Sequence, residues 1–425
     1  MHILLLIFYG TLASVAIWKM PFLQKSGIRP GWLCLLFAGH VFTGWLHNWI
    51  AYRYFPDHGD IWNYFSLSFL YRHRLLSEFN LFLSDNSTWT YMTHNGIVFI
   101  QMFLDLLSMD DMNINTLLFS FPVFVGNVAL FRVFRRHFED DTLAATTVFW
   151  LPSVLFWTAC IYREGMLYML LGFLFYHLDL LFKRPASGAQ RSLSSRRPLI
   201  YSIVLFLLIA YFRLAVAIIL LPALFVWYWI EHPLSRPKRF ILAAAIIVLI
   251  LTVSLPTLRK PLLGVITTEQ ASFQILEGHS RLPLPTLDGT LGSVWHAFPA
   301  AIRNGFFEPL PGSGGQPTYL TFSIELIFVW LTVLLAAIHG LRTFTTKSLP
   351  APGAQRASAF PTACLLFALA GMLTIGFFVP FAGTIVRYRS IYLPYLLAPT
   401  LHSLRRLPII QPLSRWLDNK LRFLI

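Results

Sequence analysis

The chain has 425 residues, of which 56% are hydrophobic, 16% are aromatic and only 12% are charged. A water-facing domain carries roughly a quarter charged residues, so a soluble globular protein of this size is excluded. The net charge of +14 would suit nucleic-acid binding in a soluble chain. Here the basic residues fall between apolar runs, where the positive-inside rule explains them, and no nucleic acid is expected as a partner.

A spanning helix needs about 20 mostly apolar residues, because each adds about 1.5 Å against a hydrocarbon core of about 30 Å. The first such run, 1–18, starts at Met1 without a basic leader or a small-residue cleavage site and reads as a retained span. Further spans are predicted at 31–50, 113–131, 142–161, 165–182, 240–256, 318–341, 358–379 and 390–404. The stretch 199–231 is too long for one crossing and is interrupted by Arg213, so it reads as a hairpin of two short helices with Arg213 at its tip. The basic clusters Lys19–Arg29, Arg132–Arg136, Lys183–Arg197, Arg236–Arg239, Arg342–Arg356 and the tail after Arg405 mark the cytoplasmic loops.

One threading puts all these clusters on one side. It is an all-α, polytopic bundle of about eleven spans, with the N-terminus outside and the C-terminus cytoplasmic. Within a single membrane domain, 1–425, it divides into two first spans (1–50), an acidic outside loop (51–112), a central bundle (113–256), a second outside loop (257–317), and C-terminal spans with a tail (318–425). The short run 97–107, with Gln101 and Asp105, is expected to lie in the membrane interface. A second interfacial helix is expected in 290–307, where Trp295, Phe298, Ile302 and Phe306 recur at near-helical spacing. Cys34, Cys160 and Cys364 all sit within apolar runs with no disulfide or metal spacing, and read as small buried side chains.

The polar groups that can carry chemistry lie on the outside. In PDHGDIWNYF, residues 56–65, Asp60 is placed to cap a helix beginning at Ile61, with Tyr64 one turn on. Asp60, with Asp57 as second choice, is a candidate general base at the membrane surface. A divalent-metal site could use Asp57, His58 and Asp60, and no cofactor is otherwise implied. Four arginines sit at outside helix ends against the positive-inside bias: Arg163 beside Glu164, Arg213, and the pair Arg387 and Arg389 around Tyr388. Snorkelling or pairing with acids would explain them; so would a cationic pocket whose guanidinium forks hold a lipid-linked phosphate. Only Asp179 and Glu325 lie within spans, near their ends, where either can partner an arginine. This argues against an ion-coupled transporter with a midplane site.

This arrangement resembles the GT-C superfamily of polytopic glycosyltransferases. There an acid follows an early span, often as Asp-Glu-x-x-Tyr, and an Arg-Tyr pair precedes a Pro-containing last span. Asp60 and Tyr64 match the first pattern, with Ile61 in place of the second acid; Arg387, Tyr388 and Pro394 match the other. The stretch WLPSVLFWTACIYREG (150–165) is similar to a run in bacterial envelope membrane proteins. The resemblance implies an enzyme of the bacterial cytoplasmic membrane that moves a sugar from a polyprenyl-(di)phosphate carrier to an acceptor in envelope polysaccharide synthesis. In it Asp60 is the base, Arg387, Arg389, Arg163 and Arg213 hold the lipid phosphate, and Tyr64, His58, Tyr388 and Glu164 line the substrate. An oligosaccharide polymerase or ligase relying on arginines is the nearest alternative, and a lipid-sugar flippase or a non-catalytic membrane subunit the alternative of another class.

Overall fold

The computed structural model describes residues 1–55, 59–182, 196–231, 256–278, 280–311, 317–345, 359–405, 407, 411, 412 and 416. The predicted span at 240–256, most of the loops 183–197 and 344–358, and Asp57 and His58 lie outside them. Among the described residues the chain is all helix, with an isolated antiparallel bridge between Arg281 and Phe381. Six helices are long and apolar enough to cross a membrane: His2–Lys19, Met112–Phe138, Arg163–Phe182, Leu214–Glu231, Tyr319–Arg342 and Phe360–Phe378. By that measure this is an integral membrane protein with a helical-bundle fold. Contacts divide it into two compact units, Met1–Ala217 with Ile409–Ile425, and Ile218–Pro408, a division the sequence does not mark.

The first unit contains α1 (His2–Lys19), α2 (Pro21–Gln24), α3 (Pro30–Tyr54), α4 (Gly59–Ser77), α5 (Phe79–Ser84), α6 (Asn86–His94), α7 (Gly96–Ser108) and α8 (Met112–Phe138). It continues with α9 (Asp141–Phe149), α10 (Pro152–Thr158), α11 (Arg163–Phe182), α12 (Arg196–Phe212) and the start of α13 (Leu214–Glu231). Its centre is the α8–α11 pair, which meets glycine to glycine. A Cβ on Gly172 would strike the Gly126 backbone, and one on Gly126 would lie 2.6 Å from Met169 Cα. Small residues let helix backbones approach closely where no hydrophobic force drives association.

Side-chain bonds give this unit two distinct ends. At one, Arg132 Nη1 donates to the Phe22 carbonyl (3.3 Å) and stacks on the Phe22 and Tyr176 rings, and Arg135 Nη1 donates to the Ser26 carbonyl (2.7 Å). Arg135 also pairs with Asp141, and Arg136 and His137 with the buried Asp179. The opposite end is acidic: His2 lies 3.5 Å from Asp111, and the Tyr9 hydroxyl donates to the Leu107 carbonyl. The helices α1, α3, α8, α11 and α12 each run from one end to the other.

The predicted span 142–161 is corrected to a broken leg. It comprises α9 and α10, separated at Trp150–Leu151, because Pro152 opens α10 with no N–H to give and holds Leu151 extended. Together the two pieces still carry the chain from Arg135 to the acidic end. The carbonyl of Ala159 freed there accepts from Ser120 Oγ at 2.9 Å, as backbone in a bundle core requires. The stretch 199–231 breaks at Arg213 as expected, but into helices of 17 and 18 residues rather than two short ones. The run 97–107 is helical, α7, yet Gln101 and Asp105 point into the protein and are fully buried. Asp60 falls inside the first turn of α4, which begins at Gly59, so it is not the cap residue expected. Cys160 and Cys364 are buried, whereas Cys34 is half-exposed, and all three are free thiols.

The second unit contains most of α13, α14 (Pro256–Gln274), α15 (Leu291–Ile302), α16 (Pro317–Thr345), α17 (Phe360–Phe378), α18 (Ala382–Arg389) and α19 (Leu393–Arg405). In α15 the aromatic stripe is not the buried face: Trp295 is 70% exposed, while Ala297 and Ala301 are buried. With Gly305 in the π turn that follows, these small residues pack against Met372 and Gly376 of α17. The predicted span 390–404 shortens to α19, whose 13 residues rise only about 20 Å, preceded by a turn at 390–392 after α18.

Candidate functional site

The candidate residues that the structure describes fall in both units. In the first, α4 carries Asp60, Tyr64, Ser68 and Arg72 at four-residue intervals, which aligns them on one face. Asp60 is exposed at the helix start, where the N-terminal backbone amides favour a carboxylate. The Tyr64 ring meets Tyr162 edge-on at 6.4 Å. Tyr162 immediately precedes α11, so this contact brings the Asp60 turn to the helix start that bears Arg163 and Glu164. Arg163 donates through Nη2 to Asn95 Oδ1 at 2.7 Å. Glu164 is fully buried and lies 3.7 Å from Arg213 Nη1. The basic residue at the α12–α13 break is therefore held by a buried carboxylate. Beneath these groups His47 sits in a box of aromatic rings, with Phe156 at 4.6 Å, Trp157 at 5.2 Å and Tyr162 at 5.3 Å.

Lower on the same α4 face the sequence reading missed a polar network. Ser68 Oγ donates to Asp105 Oδ2 at 2.6 Å, and Asn115 Nδ2 donates to Asp105 Oδ1 at 2.5 Å. Arg72, the next residue of the stripe, pairs with Asp110. Burial pushes the Asp105 carboxyl up to about 6, against the hydrogen bonds from Ser68 and Asn115. The signal in the sequence was Gln101 and Asp105 one turn apart in an apolar run, which gave them one face. It did not tell whether that face met headgroups or protein.

In the second unit Arg387, Tyr388 and Arg389 lie on α18, all of them buried. Arg389 donates through Nη1 to the Glu308 carbonyl at 2.6 Å. Burial lowers its pKa to about 10, while the carboxylates of Glu325 and Glu308 oppose the shift. Glu308 also receives Arg303, at 3.1 Å, and the Leu310 amide. Arg389 is thus a member of an internal charge cluster. The Arg387 guanidinium lies 5.6 Å from the Tyr388 ring centroid. Beside this cluster, Phe307, Pro309, Leu326, Trp330 and Leu334 help to line an apolar cavity of about 320 Å³.

Among the described residues no group of three His, Cys, Asp or Glu side chains is arranged to hold a metal ion, and Asp57 and His58 are not among them. No protein family, curated protein or solved structure matches the chain.

Proposed function

We propose that the protein is a membrane glycosyltransferase that moves a sugar from a polyprenyl-(di)phosphate carrier to an acceptor hydroxyl, with its chemistry at the acidic end of the first unit. In this reading the chain crosses the membrane about eleven times, the basic end faces the cytoplasm, and the acidic end faces outward. The observation that carries it is the Tyr64–Tyr162 contact, which joins the turn bearing Asp60 to the helix start bearing Arg163. A base and a phosphate ligand must both reach one bound sugar, and these two groups belong to one end of one packed unit.

The reaction follows from those groups. Asp60 accepts the acceptor's hydroxyl proton, and the oxygen attacks the anomeric carbon. The bond from that carbon to the phosphate oxygen breaks, and the phosphate leaves with the electron pair, stabilised by Arg163. A positioned base contributes roughly 10²–10⁴-fold. Purified Asp60→Asn protein assayed with a polyprenyl-linked donor should therefore lose about 10²-fold or more in turnover with donor binding kept. Full activity of this variant would defeat the transferase reading, and a mild loss with a severe Arg163→Lys defect would favour an arginine-dependent polymerase.

A further inference from the structure

The network around Asp105 has more acceptors than donors. Ser68, Gln101, Asp105 and Asn115 are all fully buried. Both carboxylate oxygens of Asp105 are bonded, but the Gln101 Oε1 and Asn115 Oδ1 atoms are buried with no hydrogen-bond partner. The two belong to adjacent rungs of one helix contact. Gln101 and Asp105 are one turn apart on α7, and on α8 they meet Met112 (Gln101 Nε2 to Sδ, 3.6 Å) and Asn115, also one turn apart. Asp110 Oδ1 and Arg72 Nε are orphaned as well. These two belong to one ion pair, and a second bond between them would satisfy both. The surplus that remains is made of oxygens only.

Charge tells the same story. Around the Asp105 contact lie Arg72 on α4 and Asp110 before α8, with Asp111 and His2 of α1 next to them. The one guanidinium is committed to Asp110, and His2 approaches Asp111. Asp105 is left as a buried carboxylate that Arg72 reaches only weakly and without direct contact, an arrangement that costs several kcal/mol unless a closer positive charge is supplied.

We propose that Asp105, Gln101, Asn115 and Ser68 form a binding site for a monovalent metal cation of the size of sodium. The carboxylate supplies the balancing charge, and the two amide oxygens and the hydroxyl supply neutral oxygen ligands, the donor set that hard cations prefer. A cation bound there joins α4, α7 and α8 beneath the Asp60 turn and makes the unit's acidic end sensitive to sodium. This site stands apart from the proposed transfer reaction.

The test uses the purified full chain in detergent at pH 8, with sodium chloride titrated against choline chloride at constant ionic strength, and reads the melting temperature. A ligand that binds only the folded state stabilises it saturably, so sodium should raise the midpoint by a few degrees and choline should not. Asp105→Asn, which keeps the side-chain shape, should abolish the response, and Gln101→Met should weaken it at least tenfold in apparent affinity. The absence of a sodium response in the native protein, or an equal response in Asp105→Asn, overturns the site. A response to pH that is the same in sodium and choline shows a proton alone on Asp105 and overturns it too.

Discussion

Two arginine sites in this molecule carry similar sequence signatures and different physics. Arg163 opens α11 at the acidic end of the first unit, half-buried, with one nitrogen on Asn95 Oδ1. Arg389 closes α18 in the second unit, 2% exposed, with one nitrogen on the Glu308 carbonyl and the carboxylates of Glu325 and Glu308 close enough to act on its charge. Both are cations at a helix end. Burial separates them: Arg389 is enclosed with carboxylates as part of the frame, whereas Arg163 stays half-buried at its helix start.

The contrast can be broken by substitution, and the largest effect is expected at Arg389. Removing it leaves Glu308 and Glu325 buried beside a vacated charge, which should cost about 3–5 kcal/mol. Thermal unfolding of Arg389→Ala should show that loss, whereas Arg163→Ala, at a half-buried helix start, should cost less. Equal losses would erase the distinction.

The Asp105 network sharpens the comparison, since it is a buried charge of the opposite sign. Its folded-state pKa is raised from 3.8 to about 6, so the folded protein binds more protons than the unfolded chain between those values. The stability that this group contributes is therefore greatest below about pH 4, falls as pH rises through about 6, and then levels. At about 1.4 kcal/mol for each pH unit, the fall amounts to roughly 3 kcal/mol. Unfolding of the native protein and of Asp105→Asn in sodium-free buffer at pH 4.5 and 7 checks it, and the variant should lose this slope. The smallest effect belongs to Arg163→Lys, which keeps the charge but not the fork. It should lower kcat/KM about tenfold, or about 1.4 kcal/mol, with unchanged melting temperature.

What the sequence could say depended on whether a neighbour decided the matter. Long apolar runs such as 113–131 and 358–379 became helices because their own length and composition suffice. The break at Arg213 was also legible, since a charge in a run too long for one crossing marks a boundary. The break at 150–152 was not, although Pro152 was in view, because a proline in a span is tolerated when neighbours satisfy the freed carbonyls; Pro122 stays inside α8. The packing face of α15 was not legible for a similar reason. Hydrophobicity singled out Trp295 and Phe298, but the contact with α17 is won by Ala297, Ala301 and Gly305, whose smallness no hydropathy pattern records. Of the candidate site, the residue types and the Asp60–Tyr64 spacing were visible. The link from Tyr64 to Tyr162, and the burial of Asp105 against Asn115, depend on contacts distant in sequence.

The seam between α8 and α11 has a mechanical consequence. Two helices that touch backbone to backbone at Gly126 and Gly172 have no side chain between them to act as a roller. Turning either by one residue, about 100° on a 3.6-residue helix, would drive a neighbouring side chain into the crossing point. The pair is thus locked in rotation, and the helix start that carries Arg163 and Glu164 is mounted on a fixed post. The helices α4 to α7 pack around that post without such a glycine-to-glycine seam.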